Sequence, residues 1–367
     1  MKDWLMEDES YQEQILRRVS RSFALTIPQL PTGLRTPVAN AYLLCRIADT
    51  IEDESALSTA ATSASLRRFV AVIRGKNEPA SLVRELLPQL SQRTNEAERE
   101  LVQNMECIVR VNMRLQESQR RAIERCVGVM CQGMHRFQRT ASLRGLQHMR
   151  ALDEYCYCVA GVVGELLTEL FCHYSPKIAN RRNLLHELDI SFGQGLQMTN
   201  ILKDMWEDRS QGICWLPQDI FSRHNVDLAA LSPLYRDSDF ALAVRELIGF
   251  THAHLRNGLS YTLLIPVEET GIRRFCLWAI GLALLTLQNI ERRLNFSCGE
   301  QVKVSHGAVI ATQLLTSVSV RHDWSLIRLF QWAASDLPLA SVDTARRSPP
   351  ANYVGGGEKL ATLEQIR

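Results

Sequence analysis

The chain has 367 residues, of which 46% are hydrophobic and 22% are charged. This composition is typical of a globular protein and excludes a disordered or acidic tail-like one. The 42 Lys and Arg residues nearly balance the 40 Asp and Glu residues, so the net charge of +2 gives no general case for nucleic-acid binding.

Few residues break the chain, since there are only 19 glycines and 12 prolines, which favours long helices over many short strands. Apolar residues recur at helical spacing from Val38 through Tyr42 and Cys45 to Ala48, and Thr36-Pro37 is typical of a helix start. Further helices are predicted over residues 65–73, 97–124, 154–171, 191–206, 240–264 and 273–294. No segment alternates as a strand does, so we predict an all-α protein.

The cysteines and the most apolar segment indicate the compartment. The ten cysteines include no Cys-x-x-Cys pair, which argues against a zinc knuckle or a thioredoxin-like motif, so we expect free thiols. The N-terminus lacks the apolar run of a signal peptide. Residues 275–287 are fewer than the ~20 that a spanning helix needs, so we predict a buried helix there and no transmembrane segment. A cytoplasmic protein is therefore expected.

The domain organisation follows from the absence of any compositional shift between the two halves. We predict one helical domain over residues 1–336. The remaining segment, residues 337–367, contains Arg346-Arg347-Ser348-Pro349-Pro350 and a run of three glycines, which is typical of a flexible, disordered tail.

Two copies of the pattern D-x-x-E-D end two of the predicted helices. They are Asp49-Thr50-Ile51-Glu52-Asp53 and Asp204-Met205-Trp206-Glu207-Asp208. Carboxylates one helical turn apart share a face and repel each other, and their burial without a partner costs several kcal/mol per charge. A strongly cationic partner is therefore expected. The alternative is two solvated acidic faces.

Magnesium fits these clusters, because Mg²⁺ binds few protein carboxylates and takes its other ligands from water and substrate phosphate. Two such helices facing each other could clamp a diphosphate through Mg²⁺ and assist its departure. The candidate metal ligands are Asp49, Glu52, Asp53, Asn200, Asp204, Glu207 and Asp208.

Other residues beside these clusters suit the same chemistry. Three cations could hold phosphate oxygens, although each could equally be a solvated surface charge; they are Arg21, Arg46 and Lys203. Three aromatic rings could line an apolar cavity and stabilise carbocations, or simply pack in the core; they are Phe23, Tyr42 and Tyr155.

Four motifs resemble, in order and spacing, the squalene/phytoene synthase family. They are Ser20-Arg21-Ser22-Phe23, the segment from Tyr42 through Arg46 to Asp53, the segment from Tyr155 to Gly164, and the segment from Gln197 to Asp208. The resemblance is strong over about residues 17–217 and weaker to about residue 307. It implies the isoprenoid synthase fold, a single all-α domain around a central cavity, and head-to-head joining of two prenyl diphosphates through a cyclopropyl diphosphate.

The resemblance also implies roles for individual residues. The residues implied in catalysis are Asp49, Asp53, Asp204 and Asp208 for Mg²⁺-diphosphate and Tyr155 for proton loss. Those implied in substrate binding are Ser20, Arg21, Ser22, Phe23, Tyr42, Arg46, Gln197, Asn200 and Lys203. Those implied in cofactor binding are Arg21, Arg46, Lys203 and Lys303. Residues 208–217 resemble the flap over the site. Gly161 and Gly164 either leave room for the isoprenoid chain or allow tight helix packing.

The segment Val302-Lys303-Val304-Ser305-His306-Gly307 resembles one that the squalene-forming branch of the family carries. That branch implies two farnesyl diphosphates as substrates, Mg²⁺, and NADPH as the reductant. Ser305 and His306 stand where further basic residues are usual, and Lys203 stands where arginine is common. Because lysine lacks the bidentate fork of arginine, NADH remains an alternative to NADPH.

Three alternatives stay open beside this interpretation. A dehydrosqualene or phytoene-type synthase would stop without reduction. A non-catalytic helical lipid-binding protein would need no acidic clusters. A di-iron carboxylate protein is disfavoured, because no histidine follows a glutamate by three positions. We expect no nucleic acid and no obligate protein partner, and we expect peripheral contact with the inner face of the membrane for release of an oily product.

Overall fold

A computed structural model of the chain describes residues 2–20, 22–233 and 237–342, with backbone only for residues 2–6. Within these ranges the regular structure is helical, and the only strand-like pairing is an isolated bridge between Leu146 and Pro217. The all-α prediction is therefore confirmed. Free thiols were expected from the sequence, and none of the ten cysteines forms a disulfide; eight of them are buried.

The α-helices follow one another with short connections. They are α1 (Lys2–Val19), α2 (Phe23–Thr26), α3 (Thr32–Glu52), α4 (Thr59–Ile73), α5 (Pro79–Leu86), α6 (Glu96–Gln103), α7 (Met105–Arg114), α8 (Glu117–Gln138), α9 (Met149–Cys156), α10 (Val162–Tyr174), α11 (Pro176–Ala179), α12 (Arg182–His186), α13 (Asp189–Ser210), α14 (Gln218–Arg223), α15 (Ser238–Leu264), α16 (Thr270–Arg292), α17 (His306–Ser319) and α18 (Asp323–Ala333). A π-helical turn, Tyr157–Gly161, joins α9 to α10.

Helix α3 begins more than one turn earlier than the Thr36-Pro37 pair predicts. It starts at Thr32 and contains Pro37. A proline so close to the start removes only the bond to the carbonyl oxygen of Gly33, because each helical N–H donates four residues back. The helix ends at Glu52, and the backbone N–H of Asp53 donates to the carbonyl oxygen of Asp49.

The prediction of one helix over residues 97–124 is wrong. Three helices cover this stretch, with a break at Asn104 and another at Leu115, whose backbone is extended. Helix α8 then starts at a capping box in which Gln116 and Gln119 each accept from the other's backbone N–H. No glycine or proline marks either break, so the apolar periodicity alone predicted one continuous helix.

Helix α13 lies at the centre and packs closely on the segment from the π-turn to α10. A Cβ atom on Gly164 would lie 1.9 Å from the backbone oxygen of Asp189, and one on Gly193 would lie 2.1 Å from that of Ala160. No side chain fits in such gaps, so the backbones themselves touch. Gly164 therefore allows tight helix packing, and it also lines the cavity described below.

Two helical stretches of the described chain are long and apolar enough to cross a membrane, residues 149–174 and Thr270–Arg292. The apolar run at 275–287 lies in α16, whose 23 residues agree closely with the helix predicted over 273–294. Of the most apolar windows in these stretches, 72% and 61% are buried inside the protein. This burial is typical of core helices, as predicted for α16.

The segment after residue 336 is described as far as residue 342. Leu337 is buried, the Pro338 carbonyl oxygen lies 2.8 Å from Nδ1 of His252, and the Ala340 N–H donates to the Gly249 oxygen at 3.1 Å. The packed part of the chain thus extends beyond the predicted boundary. The remainder of the predicted tail, residues 343–367, lies outside the described residues.

Candidate active site

A cavity of about 520 Å³ lies between α3, α8, α10, α13 and α16. Asp49, Glu52 and Asp53 line its acidic end from α3, and Asp204 does so from α13. The rest of the wall is mainly apolar, with Met130, Met134, Val159, Val163, Leu166, Leu167, Leu170, Phe192, Leu196, Phe275 and Ala279. A cavity of this size, apolar at one end and strongly acidic at the other, suits an amphipathic ligand with an oily chain.

The two acidic motifs face each other across the cavity. Burial raises the pKa of Asp208 from its ordinary value of 3.8 to about 7, and the negative charges of Asp204 and of Asp53 add to the effect. Asp53 follows α3 and Asp208 belongs to α13, so an electrostatic interaction between them requires the two helix ends to be close. The alternative that the sequence left open, two solvated acidic faces that point away from each other, is not what the structure has.

The carboxylates of α3 are crowded in the same way. Burial raises the pKa of Asp49 to about 7, with a further contribution from Asp53, and burial raises the pKa of Glu52 well above its ordinary value. The side chain of Asp49 nevertheless keeps 37% of its surface exposed, because it faces the open cavity. Solvent in the cavity therefore screens part of the repulsion, and a cation entering there can reach the carboxylate.

These residues fit a divalent cation. One carboxylate oxygen of Glu207 accepts from the Gly299 N–H at 2.7 Å, whereas its other oxygen, Oε2, is buried and without a hydrogen-bond partner. Within residues 2–342 as described, no three carboxylate, imidazole or thiol groups already converge on one point. The carboxylate oxygens of the two motifs, with the unpartnered Oε2 of Glu207 among them, are the kind of donor that Mg²⁺ binds together with water or a phosphate group.

Two of the predicted cations lie beside the acidic motifs. Arg46 lines the cavity, forms an ion pair with Glu98, and holds its NH1 atom 3.8 Å from Oδ2 of Asp49. The Nζ atom of Lys203 lies 3.1 Å from Oδ2 of Asp204. The third, Arg21, lies outside the described residues.

The predicted serine–phenylalanine motif forms the corner before α2. Ser20 Oγ accepts from the backbone N–H of Phe23 at 3.0 Å. The ring of Phe23 lies 4.9 Å from that of Tyr42, centroid to centroid, and the Tyr42 hydroxyl donates to the Val19 oxygen at 3.3 Å. Both rings line the cavity, as do Gln197 and Asn200 of α13. Ser20 and Ser22 do not line it, and shape the corner instead.

Tyr155 closes one side of the cavity and is held by two other rings. The indole of Trp215 stacks on it, and Phe137 meets it edge-on at 5.3 Å. Burial, and then the charges of Glu52, Asp208 and Asp53 among others, raise its pKa well above the ordinary value. The phenol therefore keeps its proton at neutral pH.

The loop after α13 holds Trp215 in place. Its backbone is pinned by bonds from Cys214 N to the Ser142 oxygen at 3.1 Å, from Leu146 N to the Leu216 oxygen at 2.9 Å, and from Gln218 N to the Leu146 oxygen at 2.7 Å. This is the segment that resembles the family's flap. In this protein it is tied down on the 142–146 loop.

Lys303, a predicted contact of the nucleotide, is paired with a neighbouring carboxylate. It does not line the cavity, and its Nζ atom pairs with both carboxylate oxygens of Glu300 at 2.9 Å on the exposed surface. The role of Lys303 in nucleotide binding stays a prediction, because a nucleotide would have to compete with this exposed ion pair. The neighbouring Gly299 is the residue that reaches the acidic end of α13, through its bond to Glu207.

Sequence reasoning missed three contacts with the site: Glu98 on Arg46, Trp215 on Tyr155, and Gly299 on Glu207. Glu98 stands three residues after Asn95, which accepts from its N–H at 3.0 Å, so its position is that of an ordinary helix-capping pair. Trp215 lies in the flap-like segment, where an aromatic residue among turn residues was a usable signal. Nothing in the sequence marks Gly299.

A family model described as squalene/phytoene synthase matches residues 16–308. The chain belongs to this family. The matched range agrees with the resemblance that the four motifs indicated, including its weaker part up to about residue 307. The acidic motifs, Tyr155 and the residues that line the cavity all lie within the matched range.

Curated fungal relatives are similar over most of this chain. A squalene synthase of Cochliobolus lunatus is 28% identical over 315 residues, which cover 84% of this chain and 72% of the relative. A squalene synthase of Gibberella zeae is 31% identical over 282 residues, which cover 76% of this chain and 57% of the relative. The chain thus spans little more than half of the longer relative.

Solved structures share the fold at low sequence identity. A complex of TcSQS with the ligand BPH1237 has a TM-score of 0.69 at 22% identity, and covers 90% of this chain and 91% of its own. A dehydrosqualene synthase in complex with a ligand has a TM-score of 0.63 at 19% identity, with 89% and 99% covered. The fold predicted from the motifs, that of the isoprenoid synthases, is therefore confirmed.

Proposed function

We propose that the protein joins two molecules of farnesyl diphosphate head to head into presqualene diphosphate and reduces this intermediate with NADPH to squalene. In the first half, one farnesyl diphosphate ionises, the double bond of the other attacks the cation, and loss of a proton closes a cyclopropane. In the second half, the remaining diphosphate leaves and the cation rearranges. Hydride from NADPH then completes squalene and leaves NADP⁺.

The observation that carries this proposal is the meeting of two D-x-x-E-D helix ends at the acidic end of an otherwise apolar cavity. The acidic end suits two diphosphate groups with their metal ions, and the apolar part suits the isoprenoid chains. The family membership and the squalene synthases among the relatives support the same reaction.

Seven residues of the two motifs and of α13 would hold Mg²⁺: Asp49, Glu52, Asp53, Asn200, Asp204, Glu207 and Asp208. When bound, Mg²⁺ neutralises the charge of a diphosphate and stabilises it as a leaving group. The crowding that raises the pKa of Asp49 and of Asp208 to about 7 in the free protein favours uptake of a cation, because a cation relieves the repulsion.

The cations beside the motifs would orient the phosphates. Arg46 offers a planar fork that can hold two phosphate oxygens, and its ion pair with Glu98 fixes where the fork points. Lys203 adds a point charge beside Asp204. For Arg21 the assignment rests on the family resemblance alone, and for Lys303 a nucleotide would have to displace Glu300.

Tyr155 would take part in the proton loss. Because its phenol stays protonated at neutral pH, it cannot wait as a phenolate base. A protonated hydroxyl can donate its proton to a departing diphosphate oxygen as it accepts one from the substrate. The apolar walls meanwhile exclude water, which would quench a carbocation.

The proposal is tested by incubating the purified protein with farnesyl diphosphate and Mg²⁺, with and without NADPH, and identifying the products by mass spectrometry. Squalene formed only with the nucleotide is the expected result. Presqualene diphosphate as the end product in both conditions would identify an enzyme of the first half-reaction only, and dehydrosqualene would identify the non-reducing branch. No turnover in either condition would favour a lipid-binding protein. Repeating the assay with NADH decides the nucleotide preference.

The location follows from the chemistry of the product. Squalene is a hydrocarbon that leaves water for a bilayer. A cytoplasmic protein in peripheral contact with the inner face of the membrane would release it where it dissolves. Fractionation of cells into soluble and membrane fractions, with and without a high-salt wash, tests this location.

A further inference from the structure

Helix α17 has an unusual composition for the surface of a globular protein. None of its fourteen residues is buried, and none carries a formal charge. Leu314 and Val318 expose 62% and 80% of their surface, and Ile310 and Leu315 are exposed as well. Surface helices normally present charged or polar residues to water, so this face is adapted to something other than water.

The side of α17 that packs on the protein carries the small residues. A Cβ atom on Gly281 of α16 would lie 2.5 Å from the Cγ2 atom of Thr312, so α17 approaches α16 closely through a threonine and a glycine. Thr312 and Thr316 are half-buried, and their hydroxyls donate to α17's own backbone. Small residues face inward and bulky aliphatic residues outward, which reverses the usual arrangement.

The next helix, α18, adds exposed aromatic and basic residues. Trp324 and Trp332 expose 69% and 72% of their surface, and the guanidinium of Arg328 lies 5.1 Å from the centre of the Trp324 ring. Exposed tryptophan is costly in water and is enriched at the boundary between lipid headgroups and acyl chains, where its ring is apolar and its N–H stays hydrated.

The charge of this region is positive. Residues 306–333 contain Arg321, Arg328 and a single acidic residue, Asp323. Asp323 is neutralised by an ion pair with Arg273 of α16, which is fully buried. Two exposed arginines, one just after α17 and one on α18, therefore give this region a positive charge that complements an anionic surface.

We propose that α17 and α18 form a docking surface for an anionic phospholipid bilayer. The aliphatic residues of α17 would enter the acyl boundary, the tryptophans of α18 would lie at the headgroup level, and Arg321 and Arg328 would contact lipid phosphates. Exposed aliphatic residues, with exposed tryptophans and arginines on the next segment, are features of a surface that lies in a membrane interface.

The position of α17 relative to the cavity indicates a role for this surface. Helix α17 packs on α16 at Gly281, and the same helix supplies Phe275 and Ala279 to the apolar wall of the cavity. One helix therefore separates the oily interior from the proposed lipid contact. A hydrophobic ligand would have a short distance to travel between cavity and bilayer. Docking itself does not depend on the reaction proposed above, because it is measured without substrate.

The test is co-sedimentation of the full-length protein with vesicles of phosphatidylcholine alone and with vesicles that also contain the anionic lipid phosphatidylglycerol. We expect binding to the anionic vesicles that weakens with added salt. The double variant Leu314→Asn/Val318→Asn should bind at least ~10-fold more weakly, since two aliphatic side chains no longer leave water. Arg321→Gln/Arg328→Gln should remove most of the preference for anionic lipid.

The matched control is Met113→Asn/Leu184→Asn, which changes two aliphatic side chains that are exposed on α7 and α12. It should bind vesicles as the wild type does. Because all four positions are exposed, both double variants should keep the wild-type melting temperature, which confirms folding.

Several results would overturn the proposal. Equal loss of binding in the control variant would show a general effect of surface polarity. A wild-type dimer that Leu314→Asn/Val318→Asn converts to monomers, without vesicle binding, would assign the face to a second copy of the chain. Failure of a monomeric wild type to bind vesicles would assign it to residues 343–367 or to another protein.

Discussion

The indole ring of Trp215 lies flat on the phenol ring of Tyr155, with 4.1 Å between the ring centroids and 11° between the planes. The two residues are sixty positions apart, one at the end of α9 and the other in the loop after α13. That loop is tied by backbone hydrogen bonds to residues 142–146. The stack therefore fixes the ring of the residue proposed for proton loss relative to the acidic end of α13.

This stack gives the first prediction. Trp215→Leu should lower kcat for formation of presqualene diphosphate by ~10- to 100-fold, because small displacements of a catalytic group are costly. KM should change little, since Trp215 does not line the cavity. Trp215→Phe keeps a flat ring and should recover most of the rate. An equal decrease of kcat in both variants, or a change in KM without a change in kcat, would contradict a positioning role.

The second prediction concerns the two acidic motifs. Asp49→Asn and Asp204→Asn should each reduce turnover by at least ~100-fold, since each removes charge that the diphosphate–metal assembly needs. In metal-free buffer the folded state should be as stable as in the wild type or slightly more stable, because each substitution removes repulsion between like charges. Turnover is measured with saturating Mg²⁺, and stability by thermal unfolding.

The control for that experiment is Glu13→Gln, an exposed carboxylate on α1. It should keep full activity. Wild-type turnover in Asp49→Asn or Asp204→Asn would contradict the diphosphate site and favour the lipid-binding alternative.

The third prediction is a pH dependence of stability. The pKa values of Asp49 and Asp208 are about 7 in the folded protein, against an ordinary 3.8. Between these values the folded state binds more protons than the unfolded state, so these groups stabilise the fold below pH 4 and this contribution is lost as pH rises through about 7. The melting temperature in EDTA should therefore fall between pH 5 and pH 8 more steeply than in Asp49→Asn/Asp208→Asn.

Binding of Mg²⁺ with pyrophosphate should change how the melting temperature depends on pH. Mg²⁺ with inorganic pyrophosphate binds the ionised carboxylates, so it should stabilise the wild type most at pH 8 and should act weakly on the double variant. If the melting temperatures of the wild type and of the double variant changed in parallel across this pH range, the aspartates would have ordinary pKa values. That result would remove the electrostatic basis for the proposed metal site.

The fourth prediction tests the close approach of α10 and α13. Gly164→Ala should destabilise the protein by at least ~2 kcal/mol, because its methyl group would lie 1.9 Å from a backbone oxygen of Asp189 that cannot rotate away. Gly307→Ala is the matched control, since no atom lies within 4 Å of its added Cβ and alanine favours a helix. The two changes should have opposite signs in urea unfolding. A neutral Gly164→Ala would mean that the helices can separate.

Much of this protein's structure could be predicted from short-range patterns in the sequence. The helical spacing of apolar residues predicted the all-α class, and the repeated D-x-x-E-D pattern placed an acidic cluster at each of two helix ends. Both conclusions depend on local periodicity, because a residue's position along a helix fixes the face on which it lies. The order and spacing of four motifs then sufficed to indicate the family and its fold.

The breaks at Asn104 and Leu115 and the partners of Arg46 and Tyr155 could not be predicted in this way. The breaks depend on capping contacts without a glycine or proline. The two partners, Glu98 on Arg46 and Trp215 on Tyr155, come from other parts of the chain. The sequence determined which faces of the helices are acidic or apolar. Only the tertiary structure decided which faces meet, because packing joins residues that no local pattern links, and it left the bulky face of α17 outside.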